Sequence, residues 1–366
     1  MKPKRSLLKR AGKQIEFGVR HVSRPVLDAI TNWRHVTAQK RFLVVRHRVH
    51  FPKYYDDFLG WLERKYPDVR SLFELTVLPC RVRDWSQYML LVPWLPDPLL
   101  KRSPKVYGQA KDNEKHCQDH GIPVINPVDR LLDTAKSTGA QLIAKAGIRT
   151  PHIEAITDFA GFRKNLCGMS LPLLIREDRA HGGVTPIYFI KRREDIKQVP
   201  LETFEHPIAV EFIDVRKSKD RLYRKYRYVA AGDEGVSHTL QIADHWEVRG
   251  KQRVLNAATL QEEIDYMSQP DRNHKILQHA RKIMGLDFAA FDYSYDSSGQ
   301  MVVWEANILP GMEYPKGPGR EHIIPSVERG FAAMAKLYLQ RAGLPVPQSM
   351  DDLLKYSDRQ PIKSAA

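Results

Sequence analysis

Between Phe291 and Met312 the chain reads FDYSYDSSGQMVVWEANILPGM. Two runs rich in aromatic and β-branched residues flank Asp296-Ser297-Ser298-Gly299, the composition of two strands joined by a tight turn. Glu305 and Asn307 stand two apart, so they share one face of their strand. With Ser297-Ser298 as a two-residue turn, Asp292 pairs opposite Val303 and lies diagonal to Glu305, about 7–8 Å away between Cα atoms. A slip of one residue would turn it to the other face. Phe291, Val302, Trp304, Ala306 and Ile308 make the neighbourhood apolar. Two carboxylates set there repel and lose hydration unless a cation lies between them. Together with an amide oxygen they suit a hard cation such as Mg²⁺, which prefers oxygen ligands and shares them with phosphates. Spacing alone fits a solvated polar face equally well; the trailing Pro310-Gly311-Met312 favours the metal site.

Upstream, periodicity predicts helices over 56–65 and 106–120, with strands over 88–94 and 123–125. This strand–helix–strand order implies a small α/β domain over 54–127. A helix is expected over 127–146, opened by Pro127 and stopped by Gly147 and Thr150-Pro151. Short apolar strands follow over 171–175, 186–190, 208–213 and 226–231, then a helix over 273–284. The hairpin comes next, and a last helix covers 324–342. The body therefore spans 128–343, with a loose polar tail over 344–366.

The net charge of +15 points to an acidic partner, but residues 1–53 hold 14 Lys/Arg against Glu16 and Asp28, so +12 of it lies there. The basicity belongs to an N-terminal arm, suited to an anionic membrane surface or to nucleic acid, or simply a solvated tail. No apolar run approaches the ~20 residues of a membrane span. Cys80, Cys117 and Cys167 stand too far apart for a metal motif, which fits a reducing, cytoplasmic compartment.

The Asp…Glu-x-Asn…Pro-Gly order of the hairpin resembles the C-terminal signature of the ATP-grasp superfamily, which includes D-alanine–D-alanine ligase, glutathione synthetase and ribosomal-protein glutamate ligases. The resemblance covers about 133–340. It implies an α/β (α+β) ATP-grasp fold preceded by a small α/β domain. ATP and Mg²⁺ (or Mn²⁺) are the implied cofactors, with Asp292, Glu305 and Asn307 as metal ligands and Glu305 bridging two ions. Lys136 resembles the family's phosphate-binding lysine on the first helix. In LLIREDRAHGGV, Arg176 stands where the family has a second phosphate-binding lysine, and His181, Gly182 and Gly183 resemble its loop over the triphosphate. Arginine keeps the charge but offers a planar fork. Glu211, Phe212 and Ile213 resemble the adenine-reading hinge between two subdomains, with Asp214 or Asp220 on the ribose. In LYRKYRYVAAGD, alternation predicts one basic strand face, and the resemblance gives Arg227 and Lys225 a catalytic role beside the transferring phosphate, with Arg224 as the alternative. D-alanine–D-alanine ligases carry an arginine two residues before the metal Asp; here that residue is Ala290, so either the acceptor chemistry differs from theirs or another cation such as Arg249 or Arg253 takes the role. His238, Trp246 and Arg249 fall where the family builds its substrate wall.

The implied activity is phosphorylation of a small-molecule or peptide carboxylate, then attack by an amine on the acyl phosphate. Two other readings fit the same motifs: a kinase acting on an alcohol, and a non-catalytic nucleotide-binding module recruited by its basic arm.

Overall fold

The computed structural model describes residues 23–49, 54–179, 186–217, 219–249, 252–317 and 319–356. The chain divides into two compact units, one of Met1–Val128 with Arg341–Leu344, the other of Asp129–Gln340 with Pro345–Ala366.

In the first unit helix α1 (23–35) precedes strand β1 (Arg41–His47), helix α2 (Tyr54–Lys65) and strands β2 (Phe73–Leu78) and β3 (Tyr88–Trp94). The sheet order is β2-β1-β3, with both pairings parallel. Phe42 to Val45 of β1 are fully buried, as a central parallel strand covered on both faces must be. Rings from α2 close one face: Phe58 lies 5.7 Å from Phe73, and Tyr55 lies 4.3 Å from Trp94. Helix α3 (Pro104–Asp119) follows β3. Two expectations are corrected here. The basic arm expected over 1–53 contains a helix and the central strand of this sheet, because the apolar core of RFLVVRH outweighs its flanking charges. The strand expected over 123–125 is reduced to a single bridge between Leu91 and Val124.

The second unit holds two antiparallel sheets. One contains β4 (Ile153–Ala155), β5 (Leu173–Glu177), β6 (Tyr188–Ile190) and β7 (Pro207–Glu211) in the order β4-β7-β5-β6. The other contains β8 (Tyr223–Ala231), β9 (Glu234–Ala243), β10 (Phe288–Tyr295) and β11 (Met301–Asn307) in the order β11-β10-β8-β9. The helix expected over 127–146 is two elements, a 3-10 stretch over Val128–Thr134 and α4 (Lys136–Lys145). They part at Ala135, whose ψ of 148° is extended. Helix α5 (Ala257–Met267) packs on β9, and α6 (His274–Ile283) packs on α4, β8 and β10. Helix α7 (Ile324–Arg341) is the longest among the described residues, with Phe331 and Tyr338 fully buried. The tail expected to be loose forms α8 (Gln348–Leu354), anchored by buried Met350 and by the Tyr356 hydroxyl, which accepts the Ser237 N–H at 2.9 Å.

Candidate active site

The hairpin forms as expected, but its register differs from the expected one by two residues. The chain turns over five residues, with Gly299 at a φ of 82°, so Tyr293 rather than Asp292 faces Val303. A bulge then leaves Trp304 without a partner and sets Asp292 directly opposite Glu305. The two single-residue shifts cancel in parity, so the acids still share a face. Trp304 instead packs against the cluster of Ile213, Val215, Tyr223 and Val302.

Asp292 is 2% exposed. Across the neighbouring pairing it faces Arg227, whose Nε and Nη2 donate to its two oxygens at 2.6 and 2.8 Å. Lys225, two residues away on the same face of β8, brings its Nζ within 3.6 Å of the same carboxylate. Arg224 points the other way and is held by Asp220 and Glu262. The alternation expected of β8 is therefore real.

Glu305 accepts from the Asn307 amide at 3.2 Å and lies 3.1 Å from Lys136 Nζ. Lys136 is the first residue of α4, and α4 starts there because of a residue that sequence reasoning did not single out. Asp178, just beyond β5, accepts the Ser137 N–H at 2.8 Å and the Ser137 hydroxyl at 2.7 Å, and its own carbonyl accepts from Lys136 N at 3.3 Å. It caps the helix from 41 residues away, which no local capping pattern reveals.

Arg176 lies on β5 opposite Ile208. Burial holds its guanidinium below its ordinary range; Glu305 opposes this most, ahead of Asp178 and Glu247, while Arg249 adds to it. Lys136 Nζ and Arg176 Nε are both buried with no hydrogen-bond partner among the described residues, the Lys136–Glu305 contact being an ion pair without hydrogen-bond alignment. Two buried cationic donors with bonds to spare fit an anionic ligand, since each would otherwise remain desolvated and unsatisfied.

At the expected hinge, Glu211 accepts the His152 N–H at 2.9 Å and Phe212 packs at a tilt against Phe189 with ring centres 4.6 Å apart. Trp246 lies 5.2 Å beyond, and Ile213 is buried. Asp214 is paired with Arg216, whose hydrogen bonds hold its carboxyl below the usual range, and Arg224 holds Asp220 down to about 2. His181, Gly182 and Gly183 lie outside the described residues.

Ala290 is fully buried opposite Asn307. Of the two arginines expected to replace it, Arg253 is paired with buried Glu263 at 2.6 Å and Arg249 with Glu247 at 2.8 Å. His238 is buried near Arg227, and burial first, then that cation, pushes its pKa down to about 4. A cavity of about 620 Å³ lined by Tyr226, Tyr293 and Tyr295 lies on the opposite face of the sheet. These residues alternate with Lys225, Arg227 and Asp292, so that cavity is separate from the acid pair.

No protein-family model matches the chain, and no curated protein matches it in sequence. Solved structures do match in fold. VanG D-Ala:D-Ser ligase from Enterococcus faecalis superposes with a TM-score of 0.51 at 14% identity, over 83% of this chain and 100% of that one. D-cycloserine synthetase DcsG gives 0.53 at 13% identity, over 82% and 99%. The macrocyclase MdnC from Microcystis aeruginosa, solved with its precursor peptide MdnA, gives 0.50 at 10% identity, over 82% and 99%. The chain has the ATP-grasp fold, as its motifs imply.

Proposed function

We propose that the protein is an ATP-dependent carboxylate–amine ligase. The observation that carries this reading is the convergence of Lys136, Arg176, Lys225 and Arg227 on one acid pair, Asp292 and Glu305. A solvated strand face would not draw four cations from three elements, two of them with buried donors unsatisfied.

Asp292, Glu305 and the Asn307 amide oxygen supply the oxygen donors that Mg²⁺ or Mn²⁺ favours. Held there, the metal would neutralise the phosphates of ATP. Lys136 and Arg176 bind those phosphates, with the hinge Glu211–Asp214 against the adenosine. Arg227 and Lys225 lie where charge develops as the γ-phosphoryl group transfers. One substrate carboxylate oxygen takes that group and ADP leaves. The amine nitrogen then attacks the acyl carbon and loses a proton, and phosphate departs with the carboxylate oxygen. None of these steps needs a covalent enzyme intermediate; positioning and electrostatics supply the rate.

One fold neighbour is a D-Ala:D-Ser ligase and another holds a precursor peptide, which supports a carboxylate of small-molecule or peptide type. The test incubates the protein with Mg·ATP and pools of carboxylates and amines. With ¹⁸O-labelled carboxylate, label should appear in free phosphate. A persistent phosphorylated product without free phosphate would overturn the ligase reading in favour of a kinase.

A further inference from the structure

Helix α1 wears its polarity inside out. Arg24, Asp28 and Asn32, spaced four apart, face the body of the first unit. Arg24 donates to both oxygens of Asp56 at 3.2 and 2.9 Å and pairs with buried Asp28 at 3.0 Å. The Asn32 amide donates to the Leu75 carbonyl at 2.7 Å and accepts the Leu75 N–H at 2.8 Å, docking the helix on the edge of β2. The opposite face holds Val26, Leu27, Ile30 and Trp33, exposed by 57, 51, 43 and 84%. A helix lying on a soluble body in water carries the reverse arrangement. Half of the eight large apolar side chains exposed among the described residues sit on this one helix, so they form a patch rather than a scatter.

The chain supplies the chemistry of the occupant. Residues 1–22, directly before the helix, hold seven Lys/Arg against Glu16, and Arg34 is exposed beside Trp33. A nucleic acid would satisfy the charge but leave Val26, Leu27 and Ile30 in water. A second copy of the chain would bury the apolar face while setting like charges against each other. An anionic lipid surface answers both: headgroups for the basic segment, the acyl boundary for the apolar face, with Trp33 at the depth aromatic rings favour. We propose that α1 is an interfacial anchor that seats the protein on anionic membranes, the basic composition of the sequence before it favouring the anionic lipid. The inference rests on the first unit alone and stands independently of the ligase reading.

The test is co-sedimentation of the full chain with phosphatidylcholine vesicles, with and without phosphatidylserine. Wild type should partition onto the phosphatidylserine vesicles, weakly onto phosphatidylcholine alone, and less as salt rises. Trp33→Ser and Ile30→Ser, both at exposed positions, should each reduce partition by about tenfold. Leu255→Ser, also at an exposed position but elsewhere, should leave it unchanged. Absence of wild-type binding to anionic vesicles would overturn the proposal. So would binding indifferent to Trp33 and Ile30, which would mark simple charge attraction, or self-association that the two substitutions abolish, which would mark a second copy as the occupant.

Discussion

Arg227 and Asp292 face each other directly across β8 and β10, and two hydrogen bonds of 2.6 and 2.8 Å join their side chains. The pair is both a structural link and a stored charge. An Asp292 carboxylate so engaged has both oxygens hydrogen-bonded in a buried place, and Arg227 is held ready beside it. On the proposed ligase reading, Mg·ATP would give the carboxylate a cation and Arg227 a phosphate, so the exchange would leave neither unpaired. Arg227→Gln should therefore lower turnover by at least about 10²-fold, the scale of losing one preorganised charge donor. It should lower unfolding free energy by about 1–3 kcal/mol, because Lys225 at 3.6 Å remains as partial cover. Steady-state kinetics and a denaturant melt separate the two effects.

On the motif resemblance, Arg176 stands in the place of a phosphate-binding lysine. Its Nε has no partner among the described residues, so its charge is available to a ligand. Arg176→Ala should raise the Kd for Mg·ATP by about tenfold or more, the size of one charge-assisted contact. Arg176→Lys should recover most of that loss. Calorimetric titration reads both, and equal loss in the two variants would show that the planar fork, not the charge, is what the site uses.

Asp178 makes a prediction about position rather than charge. Its caps on Ser137 fix where α4 begins and so where Lys136 reaches Glu305. Asp178→Ala should cost about 1 kcal/mol of stability, the usual loss for a helix cap. Its KM for ATP should rise more than its kcat falls. Asp178→Asn, which keeps an acceptor, should rescue much of the KM change.

Asp28 gives a pH dependence with a definite sign. Burial raises its carboxyl to about 6, above its ordinary 3.8, with Asp56 adding to the rise and Arg24 opposing it. A group whose folded-state pKa is raised binds its proton more tightly when folded. Its contribution to stability is therefore greatest at low pH and is lost as pH rises from about 4 through 6. The full swing is on the order of 2–3 kcal/mol. Asp28→Asn should flatten this part of the stability–pH curve, as denaturant melts between pH 4 and 7 will show.

How much of this was readable beforehand differs by residue. The face shared by Lys225 and Arg227 follows from strand alternation alone, and both side chains do reach Asp292. The acid pair was located on the right face for an incomplete reason, since the five-residue turn and the Trp304 bulge each shift the register by one and cancel. Local sequence does not encode a bulge whose extra residue is held by the Ile213 cluster of another segment. The repulsion expected between Asp292 and Glu305 is answered by Arg227 and Lys136, partners 65 and 169 positions away. Strand β1 was hidden because its flanking arginines were counted as part of a charged arm, although Phe42 to Val45 is an uninterrupted buried run. The start of α4 depends on Asp178, again a contact distant in sequence. Elements were legible wherever the pattern was local; capping, pairing and neutralisation were not, because they are made between segments.

The central claim is that Asp292, Glu305 and Asn307 act with Lys136 and Arg227 as one nucleotide–metal site. The most direct measurement is a thermal melt of wild type and Glu305→Gln, each with and without Mg·ATP, alongside turnover. Without nucleotide the variant should melt somewhat lower, because Lys136, 4% exposed, loses its partner. With Mg·ATP, wild type should gain stability through binding to the folded state alone. The variant should lose most of that gain together with turnover, since Gln keeps the shape but removes the charge. A Glu305→Gln protein that keeps both the nucleotide-dependent rise and near-normal turnover would contradict the account.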